Sequence, residues 1–120
     1  MKNVKVAMWG IGAMGGGIAR VLLNKKGVDI VGVCDTHPER LHKNAFDVLD
    51  VAQGQREDIP IRGDIDEVIL EPGFCDVCVI ATDSFVEKVY EKILRVVKKG
   101  VNVITLAEEM ACPSAQHPEL

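Results

Sequence analysis

A parallel α/β sheet, doubly wound with helices on both faces, is the fold class this sequence predicts, and three observations predict it. Short β-rich apolar runs alternate with amphipathic helical patterns from Val4 to Thr105. A glycine-dense turn joins the first apolar run to the first helical pattern. The polar and glycine-bearing stretches, Gly10, Asp35, Ala81 to Ser84 and Leu106 onward, all follow apolar runs, and right-handed crossovers bring them to one rim.

The elements follow in order. Val4 to Trp9 reads as a first buried strand. Gly10 to Gly17 opens a helix running to about Lys25, with Met14, Ile18, Val21 and Leu22 on its apolar face. Asn24-Lys25-Lys26-Gly27 supplies cations and a glycine stop. Ile30 to Cys34 is the second strand. Pro38 suits the first turn of a helix whose stripe is Leu41, Ala45, Val48, Leu49 and Ala52. Gly54 to Asp58 ends that helix, and Ile59-Pro60-Ile61 fits an edge strand, where proline is tolerated. Asp64 to Leu70 is a short helix and Asp76 to Ile80 a strongly apolar strand. Ser84 and Glu87 have capping-box spacing ahead of a helix whose inner face is Val86, Val89, Ile93 and Val97. Lys98-Lys99-Gly100 closes it, and Val101 to Thr105 is a further strand.

Composition narrows the function classes. The 120 residues suit one domain, with 48% hydrophobic and 27% charged residues, which is ordinary globular composition. A formal net charge of -4 offers no long-range attraction to nucleic acid or an anionic membrane. The longest apolar runs are about half a membrane span, and no signal-peptide pattern opens the chain, so a cytoplasmic location is expected. Cys34, Cys75, Cys78 and Cys112 then read as reduced thiols. Cys75 and Cys78 have C-x-x-C spacing, but residues three apart in a strand face opposite ways, which argues against a zinc or dithiol site. His37, His42 and His117 lack metal-ligand spacing, and no metal site is expected. Lys88 and Lys92 read as a solvated helix face.

Gly10-Ile11-Gly12-Ala13-Met14-Gly15 matches G-x-G-x-x-G between a strand and a helix, with an acid at the end of the next strand. That context defines a Rossmann-type dinucleotide site. Gly10 permits the tight turn, Gly12 removes the Cβ that would block the pyrophosphate, and Gly15 lets helix and strand approach closely. Gly16 and Gly17 cost helix propensity, which points to close packing or ligand contact. The pyrophosphate accepts amide N–H bonds at the positive end of the helix. Asp35 stands 25 residues after Gly10, against a usual ~20. A carboxylate there accepts from the adenosine ribose hydroxyls and repels a 2′-phosphate, so NAD is preferred. Thr36, His37 and Arg40 beside it keep NADP possible. Ala81 and Thr82 lie toward the nicotinamide ribose in this topology. Asp83 is a candidate carboxylate or a helix-terminal acid, and Glu108 and Glu109 are candidates for orienting a cationic substrate.

Trp9 to Gly15, Ala81 to Ser84 and above all Asn102 to Met110 resemble the N-terminal part of the 2,4-diaminopentanoate dehydrogenases, a family similar to the dihydrodipicolinate reductases. The resemblance runs over essentially the whole chain. It implies NAD(P)-dependent oxidative deamination of 2,4-diaminopentanoate to 2-amino-4-oxopentanoate and ammonia in ornithine fermentation. It also implies that residues 1–120 are the N-terminal fragment of a larger two-domain enzyme, a homo-oligomer when full length. Gly10, Gly12, Gly15 and Asp35 map to its cofactor site, with Thr82 and Ala107 near the nicotinamide. The catalytic acid and base belong to the second domain, so none is assigned here, and the fragment alone is expected to be inactive. The alternatives are another amino- or keto-acid dehydrogenase of this kind and a non-catalytic NADH sensor.

Overall fold

A computed structural model describes residues 3–71, 73–81 and 86–105, with the side chains of 86–89 left aside. Among the described residues, five strands form one sheet, in the order β3-β2-β1-β4-β5. They are β1 (Val4–Trp9), β2 (Val28–Cys34), β3 (Ile61–Arg62), β4 (Val77–Ile80) and β5 (Asn102–Thr105). Every pairing is parallel. Helices α1 (Ala13–Leu23), α2 (Ala45–Leu49), α3 (Ile65–Val68) and α4 (Val86–Val97) make the connections. The expected alternation and the doubly wound sheet are both present.

Alternation along β1 divides the core in two. Val6 and Met8 join Ala19, Leu23, Phe46 and Leu49 on the α1 and α2 face. Ala7 and Trp9 join Ile65, Val68 and Val96 on the α3 and α4 face. A register shift between Val6 and Ala7 pairs them with Ile30 and Gly32, leaving Val31 as an extra residue. This bulge re-phases β2 just before its functional end, a role bulges commonly have. A side chain at Gly32 would collide with Val68, so glycine is required at the bulge for space.

Several sequence expectations are corrected. The buried face of α1 consists of Gly15, Gly16, Ala19 and Leu23, while Met14 and Val21 are 58% and 65% exposed. Periodicity picks out the large apolar residues, but close approach of the helix to the sheet selects the small ones. Among the described side chains of α4, Val96 is the fully buried one, with Ile93 packed beside it, and Val97 is exposed, while the side chains of Val86 and Val89 lie outside the described residues.

Helix α2 is also much shorter than its stripe suggests. His42 takes a left-handed backbone conformation, with φ 67. Its N–H donates to Ile61 O, and Ile61 N–H donates to Lys43 O. The backbone before Asn44 thus pairs with the approach to β3 instead of winding into a helix. Asn44 then caps α2: its Oδ1 accepts from Phe46 N–H at 3.4 Å and Ile59 N–H at 3.0 Å. Its Nδ2 donates to Gln53 at 2.8 Å and Asp58 at 3.2 Å. One side chain therefore fixes the helix start, the following loop and the entry to the edge strand.

Candidate cofactor site

At the carboxyl end of β1, Gly10 has φ 99, a conformation that suits glycine and lets the chain turn sharply into α1. Its N–H donates to Cys34 O at 2.7 Å, tying the turn to β2. Gly15 is buried against this turn. A methyl group there would meet the Gly10 carbonyl oxygen and approach Ala81, so the helix can lie this close only with glycine. Ala81 follows β4, and its N–H donates to Trp9 O at 2.9 Å.

Gly12 differs from Gly15. The nearest atom to a Cβ at Gly12 would be Arg40 Nη2 at 3.9 Å, so the space beside it is open. Gly12 is the N-cap of α1, without a side-chain cap bond and with no acid in the first turn. The amides opening this helix are thus presented to a ligand without a carboxylate of their own helix competing for them. Ile11 is buried, Ala13 and Met14 are exposed at the start of α1, and all belong to this turn. These features fit a pyrophosphate cradle. Gly16 is packed under the Ile11 carbonyl, whereas a Cβ at Gly17 would meet nothing within 4 Å, so packing accounts for Gly16 and not for Gly17.

Asp35, at the end of β2, is 7% exposed. Its Oδ2 accepts from Ile11 N–H at 2.9 Å and from Arg40 Nε at 3.0 Å. Its Oδ1 accepts from His37 N–H at 2.8 Å. The acid is therefore brought to the glycine turn as the motif requires, and it is held there by bonds the motif does not disclose. Two concavities flank it. One is an open groove of about 720 Å³ beside Ile11, Gly12 and Ala13, carrying Arg20, Arg40 and Lys43 with Glu39 and Asp47. The other, of about 260 Å³, is lined by Trp9, Asp35, Thr36, Ile65, Lys92 and Arg95, among others. Lys92 is consequently more than a solvated residue: its ammonium lies 5.2 Å from the Trp9 ring centroid. Arg20 and Lys43 had no motif to mark them; they gather here because α1 and the turn before α2 share one sheet face.

Thr82, Asp83, Ser84, Ala107, Glu108 and Glu109 fall outside the described residues. The described cysteines, Cys34, Cys75 and Cys78, are free thiols. All three lie in one core cluster, so the opposite-face argument for Cys75 and Cys78 fails: Cys75 precedes β4 instead of lying within it. Burial pushes Cys34 and Cys78 up to about 12 and Cys75 up to about 11, which disfavours the reactive thiolate.

A parallel doubly wound sheet with a glycine cradle at the β1–α1 turn and an acid at the end of β2 defines an NAD(P)-binding domain of the oxidoreductase type. Residues 10–120 match the family described as "Homoserine dehydrogenase, NAD binding domain", and the chain belongs to that family. It is 48% identical over 120 residues to a 2,4-diaminopentanoate dehydrogenase of Acetoanaerobium sticklandii, covering 100% of this chain and 33% of the relative. In structure it is similar to an amine dehydrogenase from Mycobacterium smegmatis, with TM-score 0.85 and 31% identity over 98% of this chain and 34% of the other. It is also similar to a dehydrogenase from Chromobacterium violaceum, with TM-score 0.66 and 27% identity over 88% of this chain and 28% of the other. The chain thus spans about a third of the length of these relatives. Among the described residues, no helix is long and apolar enough to cross a membrane.

Proposed function

We propose that this chain is the cofactor-binding part of an NAD(P)-dependent dehydrogenase that oxidatively deaminates 2,4-diaminopentanoate to 2-amino-4-oxopentanoate and ammonia, as in ornithine breakdown. The observation that carries this reading is the 48% identity over all 120 residues with the Acetoanaerobium sticklandii relative of that activity. The likeness to an amine dehydrogenase supports a primary amine as the group oxidised. The working enzyme is a cytoplasmic homo-oligomer with a second domain.

NAD or NADP held at this site would supply the hydride acceptor for the carbon bearing the amine. This chain's part is to hold and orient. The turn from Gly10 to Gly15 takes the pyrophosphate on its amides, and Asp35 and Thr36 border the adenosine end. Ala81, Thr82 and Ala107 would serve the nicotinamide end, and Glu108 and Glu109 would hold the distal ammonium of the substrate. A base must first leave the reacting amine neutral, because an ammonium has no lone pair to expel the hydride. That base belongs to the second domain. Water then adds to the resulting imine and ammonia leaves.

The test is an assay of the full-length protein carrying this chain, with 2,4-diaminopentanoate and NAD. Reduced nicotinamide, ammonia and 2-amino-4-oxopentanoate are expected in equal amounts. Replacing Glu108 and Glu109 together by alanine should raise the substrate KM, and unchanged KM and kcat would remove that role from them. Oxidation of a different primary amine, with none of the diamine, would overturn the substrate. It would favour the second reading, an amine dehydrogenase of other specificity, which the structural likeness also supports.

A further inference from the structure

Helix α1 is covered along one flank and bare along the other. Gly16 packs toward Leu49 of α2, and Arg20 donates from Nε to Leu49 O at 2.8 Å, so α2 lies along that flank. Met14, Gly17, Ile18 and Val21 recur at helical spacing on the flank turned away from α2. Met14 and Val21 are exposed, and Ile18 is only partly buried. Gly17 stands between them with open space beside it. Nothing among the described residues accounts for a glycine there, and it costs helix stability relative to alanine.

The sheet continues this bare surface. Ile104 pairs with Val79, so the two share a face, and Val79 belongs to the core on the α1 side. Ile104 is 53% exposed there, whereas Val103 packs into the opposite core. Val4 and Val6 alternate onto the α1 face as well, and Val77 pairs with Val6. Val4 is exposed and Val77 half-buried. Helix α1 lies over β1 and β2, while α4 covers β4 and β5 from the other face. Four of the seven exposed large apolar residues among those described, Val4, Met14, Val21 and Ile104, therefore lie on α1 or on the strands of its face. Single exposed apolar side chains are ordinary, but a group gathered beside an unfilled glycine marks a contact surface.

We propose that the bare flank of α1 and the adjoining β4–β5 face form the docking surface for a helix of the second domain, seated across Gly17. The proposal rests on the two-domain reading above. The chain spans about a third of the length of its relatives, which leaves ample polypeptide to supply such a helix. A helix suits the surface because Met14 and Val21 stand about two turns apart, and the gap over Gly17 lets a second helix axis come close. Its seat is the helix that begins at the glycine turn, so the docked domain braces the cofactor site from behind.

The test is the rate of N-ethylmaleimide labelling of Val21→Cys and Ile104→Cys in the full-length protein and in the 120-residue chain, read by peptide mass mapping. Each variant is first checked for a cooperative thermal melt. The described native cysteines are buried and add little background. Both variants are expected to label at least about tenfold more slowly in the full-length protein, where reaction must await local opening. Val97→Cys, at an exposed position on the opposite face, should change by less than about threefold. Adding Gly17→Leu to Val21→Cys should restore fast labelling in the full-length protein by propping the docked helix away. Equally fast labelling in both proteins would overturn the proposal by showing the face bare. Equally slow labelling in both would overturn it by assigning the cover to residues 106–120. Protection lost on dilution would assign the cover to a second copy, and protection unaffected by Gly17→Leu would remove the helix from Gly17; each overturns the proposal. These rates do not depend on the substrate, so failure of the diaminopentanoate assay is separable from failure of the docking surface.

Discussion

At Gly15 a single hydrogen occupies the place where any other residue would bring a carbon into the Gly10 carbonyl. The Gly15→Ala variant is expected to lose about 1–3 kcal/mol, the usual range for overpacking a tight site, measurable by urea unfolding. It should also bind NADH more weakly, because relief of the clash moves the turn. Gly17→Ala should do neither, since the space at that position is open. The buried thiols make a second residue-scale prediction. Their folded ionisation lies at about 11 to 12, against an ordinary 9.0. Above pH 9 the unfolded chain loses these protons while the folded chain keeps them, so stability falls as pH rises. The slope approaches about 1.4 kcal/mol per pH unit for each thiol until the folded group also ionises. Urea midpoints measured from pH 8 upward should show this fall, and Cys34→Ala or Cys78→Ala should flatten it. A profile unchanged by either substitution would remove the thiols from the account.

Among the elements, the strands and the glycine turn were the most legible, and α2 the least. The β1 and β4 sequences are short apolar runs bounded by turn residues, and their positions in the sheet agree with that reading. Helix α2 was overread because Leu41, Ala45, Val48, Leu49 and Ala52 have helical spacing, whereas the pairing of His42 and Lys43 with Ile61 is a long-range fact with no local signature. The same limit applies to the site. The motif marks Gly10, Gly12, Gly15 and Asp35, and the fold brings these four to one turn. The motif could not reveal that the Asp35 carboxylate reaches back to the Ile11 amide, nor that a bulge at Val31 precedes it. Asn44 offers the test at this scale. Because its side chain serves the α2 cap, the Ile59 amide, Gln53 and Asp58, Asn44→Ala should cost about 1–2 kcal/mol. A change below about 0.5 kcal/mol, the size expected of an ordinary surface substitution, would show that α2 and the β3 approach hold without it.

For the molecule as a whole, the crevice joins the two halves of the core. The turn from Gly10 belongs to β1, its latch to β2, and Ala81 to the strand on the other side. A ligand bound across those ends stabilises the folded chain by mass action. NADH at about 100 times its dissociation constant should add about 2.7 kcal/mol, which for a chain of this size raises Tm by about 10 °C. A thermal melt with and without NADH measures this directly, and an unchanged Tm at saturating NADH would contradict binding to the folded state.

The bond from the Ile11 amide to Asp35 spans 24 residues of sequence. The cradle is therefore not a local habit of the glycine motif. During folding, β1 and α1 can meet early, but the turn between them acquires its anchor only after β2 has docked alongside. An excised segment ending before β2 would keep every motif glycine and still lack the partner that fixes Ile11. In the intact chain, fraying at the end of β2 would release the turn as well, so the durability of the glycine turn is set by a strand that follows it.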